Sequence, residues 1–197
     1  MFSSDQIGHT LLPMILDVEA SGFGRGSYPI EVGFVLPDGT PQCTLIRPAD
    51  HWMHWSDEAE ALHQIPRTHL LKYGKSCYEA ARWLNGHLRG HVVYSDAWGN
   101  DLSWLGTLFD EAELPQLFKL EALTCLLDQD QMKRWADTRA AVCRRINMNR
   151  HRASTDARVI QLTYYYSRNG SHLGLNDAKW ADHVASQSAL AKVGQIR

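Results

Sequence analysis

Two carboxylates, Asp17 and Glu19, stand at the end of an apolar run, Leu11-Leu12-Pro13-Met14-Ile15-Leu16, and Ala20-Ser21-Gly22 follows at once. The run with its short flanks predicts a strand, and residues two apart on a strand share a face. Asp17 and Glu19 therefore project side by side from a segment that is otherwise buried. Paired carboxylates repel each other and are costly to desolvate. A divalent cation between them removes both penalties, and hard oxygen ligands suit Mg²⁺ or Mn²⁺. For the pair taken alone, a solvated strand end is the competing reading.

Two more acids are placed by helical periodicity. Asp101 is followed by Trp104, Leu105, Leu108 and Phe109, so it lies on the apolar face of an amphipathic helix, where a carboxylate needs a compensating partner. Asp96 precedes that helix and fits a cap or loop acid. Either could complete an acidic site, and the periodicity favours Asp101. Asp156 is followed by Val159, Ile160, Thr163 and Tyr164, which puts it on the packed face of a later helix. Ala153 and Ala157 are small enough to let that helix approach a sheet closely. His151 precedes the helix, on a segment able to sit above the acids. An ordinary surface histidine is the competing reading, since the chain has ten.

In order, Asp17-Val18-Glu19-Ala20-Ser21-Gly22, the strand-to-helix segment from Val92 to Asp101, and His151-Arg152-Ala153-Ser154-Thr155-Asp156 resemble the motifs of the DEDD-type 3′–5′ exonucleases of the histidine subclass (DEDDh). That family includes oligoribonucleases, ribonuclease T and polymerase proofreading subunits. Ile30-Glu31-Val32-Gly33 is similar to the strand after the first motif. Ala61-Leu62-His63-Gln64-Ile65-Pro66 resembles an Ile-His-Gly-Ile-Thr segment, with Gln64 where glycine is usual. The middle motif departs most, with Ser95-Asp96 in place of His-Asn. The resemblance spans roughly residues 11 to 166.

The resemblance implies an α/β protein with a ribonuclease H-like mixed five-stranded sheet flanked by helices. It implies two divalent cations, Mg²⁺ or Mn²⁺, on Asp17, Glu19, Asp101 and Asp156, with His151 as the base that deprotonates the attacking water. The expected activity is release of nucleoside 5′-monophosphates from single-stranded DNA or RNA 3′ ends. A catalytically weak nucleic-acid-binding module and a polymerase-associated proofreading subunit are the alternatives. Ser21, Gly22 and Phe23 are expected to hold the terminal nucleotide, and Arg152 and Arg158 its phosphates. Trp52 and Trp55 lie in a polar segment, where they either stack on bases or pack beneath a loop.

Charge distribution bears on the partner. The 197-residue chain has a net charge of -2, yet residues 131 to 158 carry eight Lys/Arg against two acids, so that segment is +6 and the remainder -8. A basic segment leading into the third motif can steer a polyanion, or can be a solvated helical face. Cys43, Cys77, Cys125 and Cys143 are scattered and form no Cys-x-x-Cys pair, which predicts reduced thiols, no zinc site and a cytoplasmic setting. The polar start, Met1 to Thr10, predicts no signal peptide, and no apolar run is long enough to predict a membrane span.

Residues 1–197 are expected to form one exonuclease domain, with a core over about 11–166 and a C-terminal helical extension over 167–197. Strands are expected near Leu11–Glu19, Ile30–Leu36, Cys43–Arg47 and His91–Ser95, with a short fifth at Phe118–Leu123. The second and third are joined by a hairpin at Asp38-Gly39. Helices are expected over Asp57–Leu71, Cys77–Arg89, the Asp101 segment, much of Leu126–Ile146 and Ala153–Tyr166. A weakly amphipathic helix over Ala178–Val193 would pack on the core or on a second subunit of a homodimer.

Overall fold

A computed structural model describes residues 12–146 and 151–169. The expected helix at Ala178–Val193 and the polar start lie outside the described residues. Five strands, β1 (Ile15–Ala20), β2 (Pro29–Val35), β3 (Pro41–Leu45), β4 (Val92–Ser95) and β5 (Lys119–Ala122), form one sheet in the order β3-β2-β1-β4-β5. The three N-terminal strands are antiparallel, and β4 and β5 add to β1 in parallel.

Period two along β1 and β2 sorts the two faces of this sheet. Leu16, Val18, Ile30, Val32 and Phe34 point into the larger core, closed by α3 (Cys77–Leu88) and α4 (Trp98–Glu111) through residues such as Leu84, Leu88, Leu105 and Leu108. Ile15 and Val35 point the other way and meet Ala157 and Ile160 of α6 (Ala153–Asn169). α5 (Gln129–Ile146) packs on the outside of α6 through Val142, Val159, Leu162 and Tyr166. Asp17, Glu19, Glu31 and Gly33 share the α6 face, in the cross-strand pairs Asp17–Gly33 and Glu19–Glu31.

Gly33 is where the expected close approach of α6 occurs. A Cβ at this position would lie 2.2 Å from the backbone nitrogen of Ser154 and 2.6 Å from the carbonyl carbon of Ala153. The first turn of α6 thus rests on bare strand backbone, which brings Asp156 within reach of β1.

The helix expected over Asp57–Leu71 is two helices, α1 (Asp57–His63) and α2 (Arg67–Tyr73). The break has two causes in the sequence. Gln64 is left-handed with φ 55, so α1 cannot continue through it. Pro66, the residue before α2, has no N–H to donate and disfavours helical backbone at Ile65. The left-handed position is the one where the resembled segment has glycine. All four cysteines are free thiols. No helix among the described residues is long and apolar enough to cross a membrane.

Candidate active site

The C-terminal end of β1, the start of α4 and the start of α6 converge on one pocket. Its lining includes Asp17, Glu19, Phe23, His63, Asp101 and His151. Asp17, Glu19 and Asp156 each offer a carboxylate oxygen, and the three oxygens lie within 4.8 Å of one another. β1 places the first two by its alternation, and the contact of α6 with Gly33 places the third.

Asp101 enters from α4, 1% exposed. Its Oδ2 accepts a hydrogen bond from the Ser95 hydroxyl, whose oxygen accepts from the Ala97 N–H at 3.0 Å. Its Oδ1 is buried with no hydrogen-bond partner. An unpaired buried carboxylate oxygen is expensive. A cation there would satisfy it, so the donor set fits a hard divalent metal.

The electrostatics point the same way. Burial, reinforced by Asp101, Glu19, Asp156 and Asp96, raises the Asp17 carboxyl well above the ordinary carboxylate range. Burial together with Asp156 and Glu31 raises Glu19 to about 7, against the opposing pull of Arg152. Burial raises Asp101 to about 7, partly offset by the Ser95 hydrogen bond and reinforced by Asp96 and Glu19. Carboxylates held this way favour the protonated fold, so their contribution to stability is fullest below the unfolded-state values near ~4 and is lost as pH rises through about 7. Metal ligands must be deprotonated. Mn²⁺ is therefore expected to raise Tm more at pH 8 than at pH 5. Thermal scans with Mn²⁺ and with chelator at both pH values check this. An equal gain at both would disconnect these carboxyls from the metal.

Asp96, the other candidate for the third acid, has a partner of its own. Its Oδ2 accepts from Arg139 Nη1 of α5 at 2.8 Å. Asp101→Asn is accordingly expected to weaken Mn²⁺ binding by about 100-fold or more, above the 10–100-fold usual for a metal's outer partners, and Asp96→Asn by only a few-fold. Side-by-side calorimetry of the two variants with Mn²⁺ decides it, and the reverse ranking would move the site to Asp96.

His151 lines the pocket beside the acids, with left-handed backbone at φ 63. Its N–H donates to Asp156 Oδ2 at 2.8 Å, so the loop and the acid hold each other. Gly22 also lines the pocket, with φ 142; a Cβ there would meet His54 Cε1 at 2.7 Å. Phe23 is 73% exposed and leans on Trp104 with ring centroids 5.8 Å apart.

Three side chains expected to contact substrate are engaged by other groups of the protein. The Ser21 hydroxyl is fully buried, accepts from the Tyr28 N–H and bonds His54 Nδ1, both at 3.1 Å. Arg152 is spent on Glu31 at 2.5 Å. Arg158 lies over Gly39 in the β2–β3 turn, bonded to Gln161, which in turn bonds the carbonyls of Pro13 and Leu36. That is the end of β1 opposite Glu19. Two residues past Asp156 a helix has turned by ~200°, so Arg158 points away from the acids. Trp52 is a packing residue, 7% exposed and stacked on Tyr28, and the half-buried Trp55 donates to Glu60 at 2.6 Å.

Sequence reading missed Ser95, Glu31 and His63. The hydroxyl of Ser95, six residues before Asp101, was a signal for the first. His63 is 4% exposed and its Nδ1 accepts from the Ile65 N–H at 3.0 Å, while its Nε2 has no hydrogen-bond partner. Nothing in its periodicity separated it from a core histidine.

No protein-family model matches this chain, and no curated protein matches its sequence. Solved structures do. E. coli exonuclease I in complex with a 5cy-dA13 oligonucleotide aligns with a TM-score of 0.55 at 10% identity, over 78% of this chain and 40% of that one. The zinc-ion-bound E. coli exonuclease I complex with single-stranded DNA gives 0.57 at 11% identity, over 80% and 40%. A product-bound exonuclease I gives 0.56 at 11%, over 80% and 43%. The class defined by this likeness is the fold: the mixed sheet with helices on both faces is ribonuclease H-like. The chain spans well under half the length of these exonuclease I chains.

Proposed function

We propose that this protein is a metal-dependent 3′–5′ exonuclease that releases nucleoside 5′-monophosphates from single-stranded DNA or RNA ends. One observation carries the reading: carboxylate oxygens of Asp17, Glu19 and Asp156 come within 4.8 Å of one another. The bare buried oxygen of Asp101 and the His151 side chain at the same pocket extend it. The fold shared with exonuclease I, crystallised with single-stranded DNA, supports the choice of substrate class.

Asp17, Glu19 and Asp156 would hold one divalent cation, Mg²⁺ or Mn²⁺, and Asp17 with Asp101 a second. When bound, such ions lower the pKa of water and stabilise the attacking and leaving oxygens of a phosphodiester. The chain's own residues do the rest. His151 takes a proton from the water whose oxygen bonds to phosphorus, histidine being the side chain most often used as a general base. The P–O3′ bond to the preceding nucleotide breaks, and that O3′ takes a proton from solvent. Phe23 stacks on the terminal base, and the backbone around Gly22 lets the sugar approach closely.

The test is digestion of single-stranded RNA, single-stranded DNA and duplex, each labelled in turn at either end, with Mn²⁺ or Mg²⁺ and with chelator. Mononucleotide release from 3′ ends, dependent on metal, is the expected result. Retention of oligonucleotide without cleavage would leave a binding module. Cleavage only beside a polymerase would make the chain a proofreading subunit.

A further inference from the structure

Glu31 is a fully buried carboxylate on β2, on the α6 face of the sheet and paired across strands with Glu19. Such a group survives only if its oxygens are satisfied. Arg152 Nε lies 3.1 and 3.0 Å from its two oxygens, and Arg152 Nη2 is 2.5 Å from Oε1. The Ala153 N–H donates to Oε2 at 3.0 Å. That N–H belongs to the first turn of α6 and has no partner within the helix, so the carboxylate also caps the helix start. Two residues further along β2, on the same face, Gly33 gives the helix room.

His151 comes immediately before Arg152 in the chain. Its left-handed backbone is strained and persists only where neighbours hold it. The neighbours that hold it are in view: Asp156 takes its N–H, and Glu31 grips the next two residues. We infer that Glu31, acting through Arg152, is a positioning residue that sets the places of His151 and Asp156, and that Arg152 is not a phosphate contact. The two accounts of Arg152 differ in what a variant loses. A phosphate contact acts on substrate affinity and its salt dependence. A positioning residue acts on turnover, and loss of a comparable outer partner usually costs 10–100-fold.

This inference rests on the exonuclease reading for its kinetic arm and on metal binding alone for the other. The side chain of Arg152 is 45% exposed, so Arg152→Met is the first variant. It strands the Glu31 charge, and Glu31→Gln combined with Arg152→Met removes that charge as a second variant. Arg152→Lys keeps the charge and loses the fork. In both Met variants kcat should fall about 10–100-fold while KM for a short oligonucleotide and its salt slope stay within about twofold. Arg152→Lys should recover part of kcat. Calorimetry with Mn²⁺ alone should show affinity weakened by about tenfold, because Asp156 is displaced.

A raised KM with a flattened salt slope and normal kcat would overturn the inference in favour of a phosphate contact. A lowered Tm with kcat and Mn²⁺ affinity intact would overturn it in favour of a purely structural pair. If the unaltered protein releases no nucleotide, the exonuclease reading fails, and the Mn²⁺ arm still decides whether Glu31 and Arg152 place Asp156.

Discussion

Asp17→Asn is expected to abolish nucleotide release, weaken Mn²⁺ binding sharply and make the metal-free protein more stable at pH 8. The three effects have one origin. Asp17 sits among Asp101, Glu19, Asp156 and Asp96, and burial among them raises its carboxyl well above the ordinary range. Ionising it without a cation therefore costs folding free energy. Asparagine has nearly the same shape and no charge, so the substitution removes that cost. With Mn²⁺ present the sign should reverse, because in the proposed site the same charge would hold the ion. Loss of an outer partner of a metal usually costs 10–100-fold, so loss of the ligand proposed to be shared by two ions should exceed about 100-fold in turnover. For a chain of this size a gain of 1 kcal/mol would appear as a rise in Tm of about 2–4 °C. Thermal scans with chelator and calorimetry with Mn²⁺ measure the two halves. Unchanged Mn²⁺ affinity in a folded Asp17→Asn protein would remove Asp17 from the metal site, whatever its activity.

The parts of this arrangement that could be read from the sequence are those governed by period. Alternation along Ile15–Ala20 put Asp17 and Glu19 on one face, and they share it. The 3.6-residue stripes put Asp101 and Asp156 on packed helix faces, and they are 1% and 9% exposed. Each strand was expected within a few residues of its place, because turn signals such as Asp38-Gly39 bounded it. What escaped was set by distance in space. The bond between Glu31 and Arg152 joins residues 121 apart in the chain. No local pattern tells a charge that meets a buried partner from one that meets phosphate. Arg158 was misplaced for a related reason. Proximity to Asp156 in sequence suggested proximity in the site, whereas the helical turn carries it to the β2–β3 hairpin. The break after Gln64 was signalled by Pro66 and by glutamine where glycine is usual, and its consequence, two helices instead of one, required the backbone angle.

His151 calls for a substitution that respects its backbone. At φ 63 an alanine would strain the loop and confuse lost chemistry with lost geometry. Asparagine tolerates left-handed backbone and cannot act as a base at neutral pH, so His151→Asn isolates the imidazole. The bond from residue 151 to Asp156 is made by the backbone N–H and survives the change. Turnover should therefore fall by about 100-fold or more, within the 10²–10⁴-fold typical of a general base, while Mn²⁺ affinity stays within a few-fold. His151→Gly serves as the backbone control and should lose as much. The deciding quantity is turnover at pH 7 in protein shown to be folded and metal-loaded. Near-normal turnover in His151→Asn would make the acids and their metals the whole catalyst, and the left-handed loop would then serve only to present its N–H to Asp156.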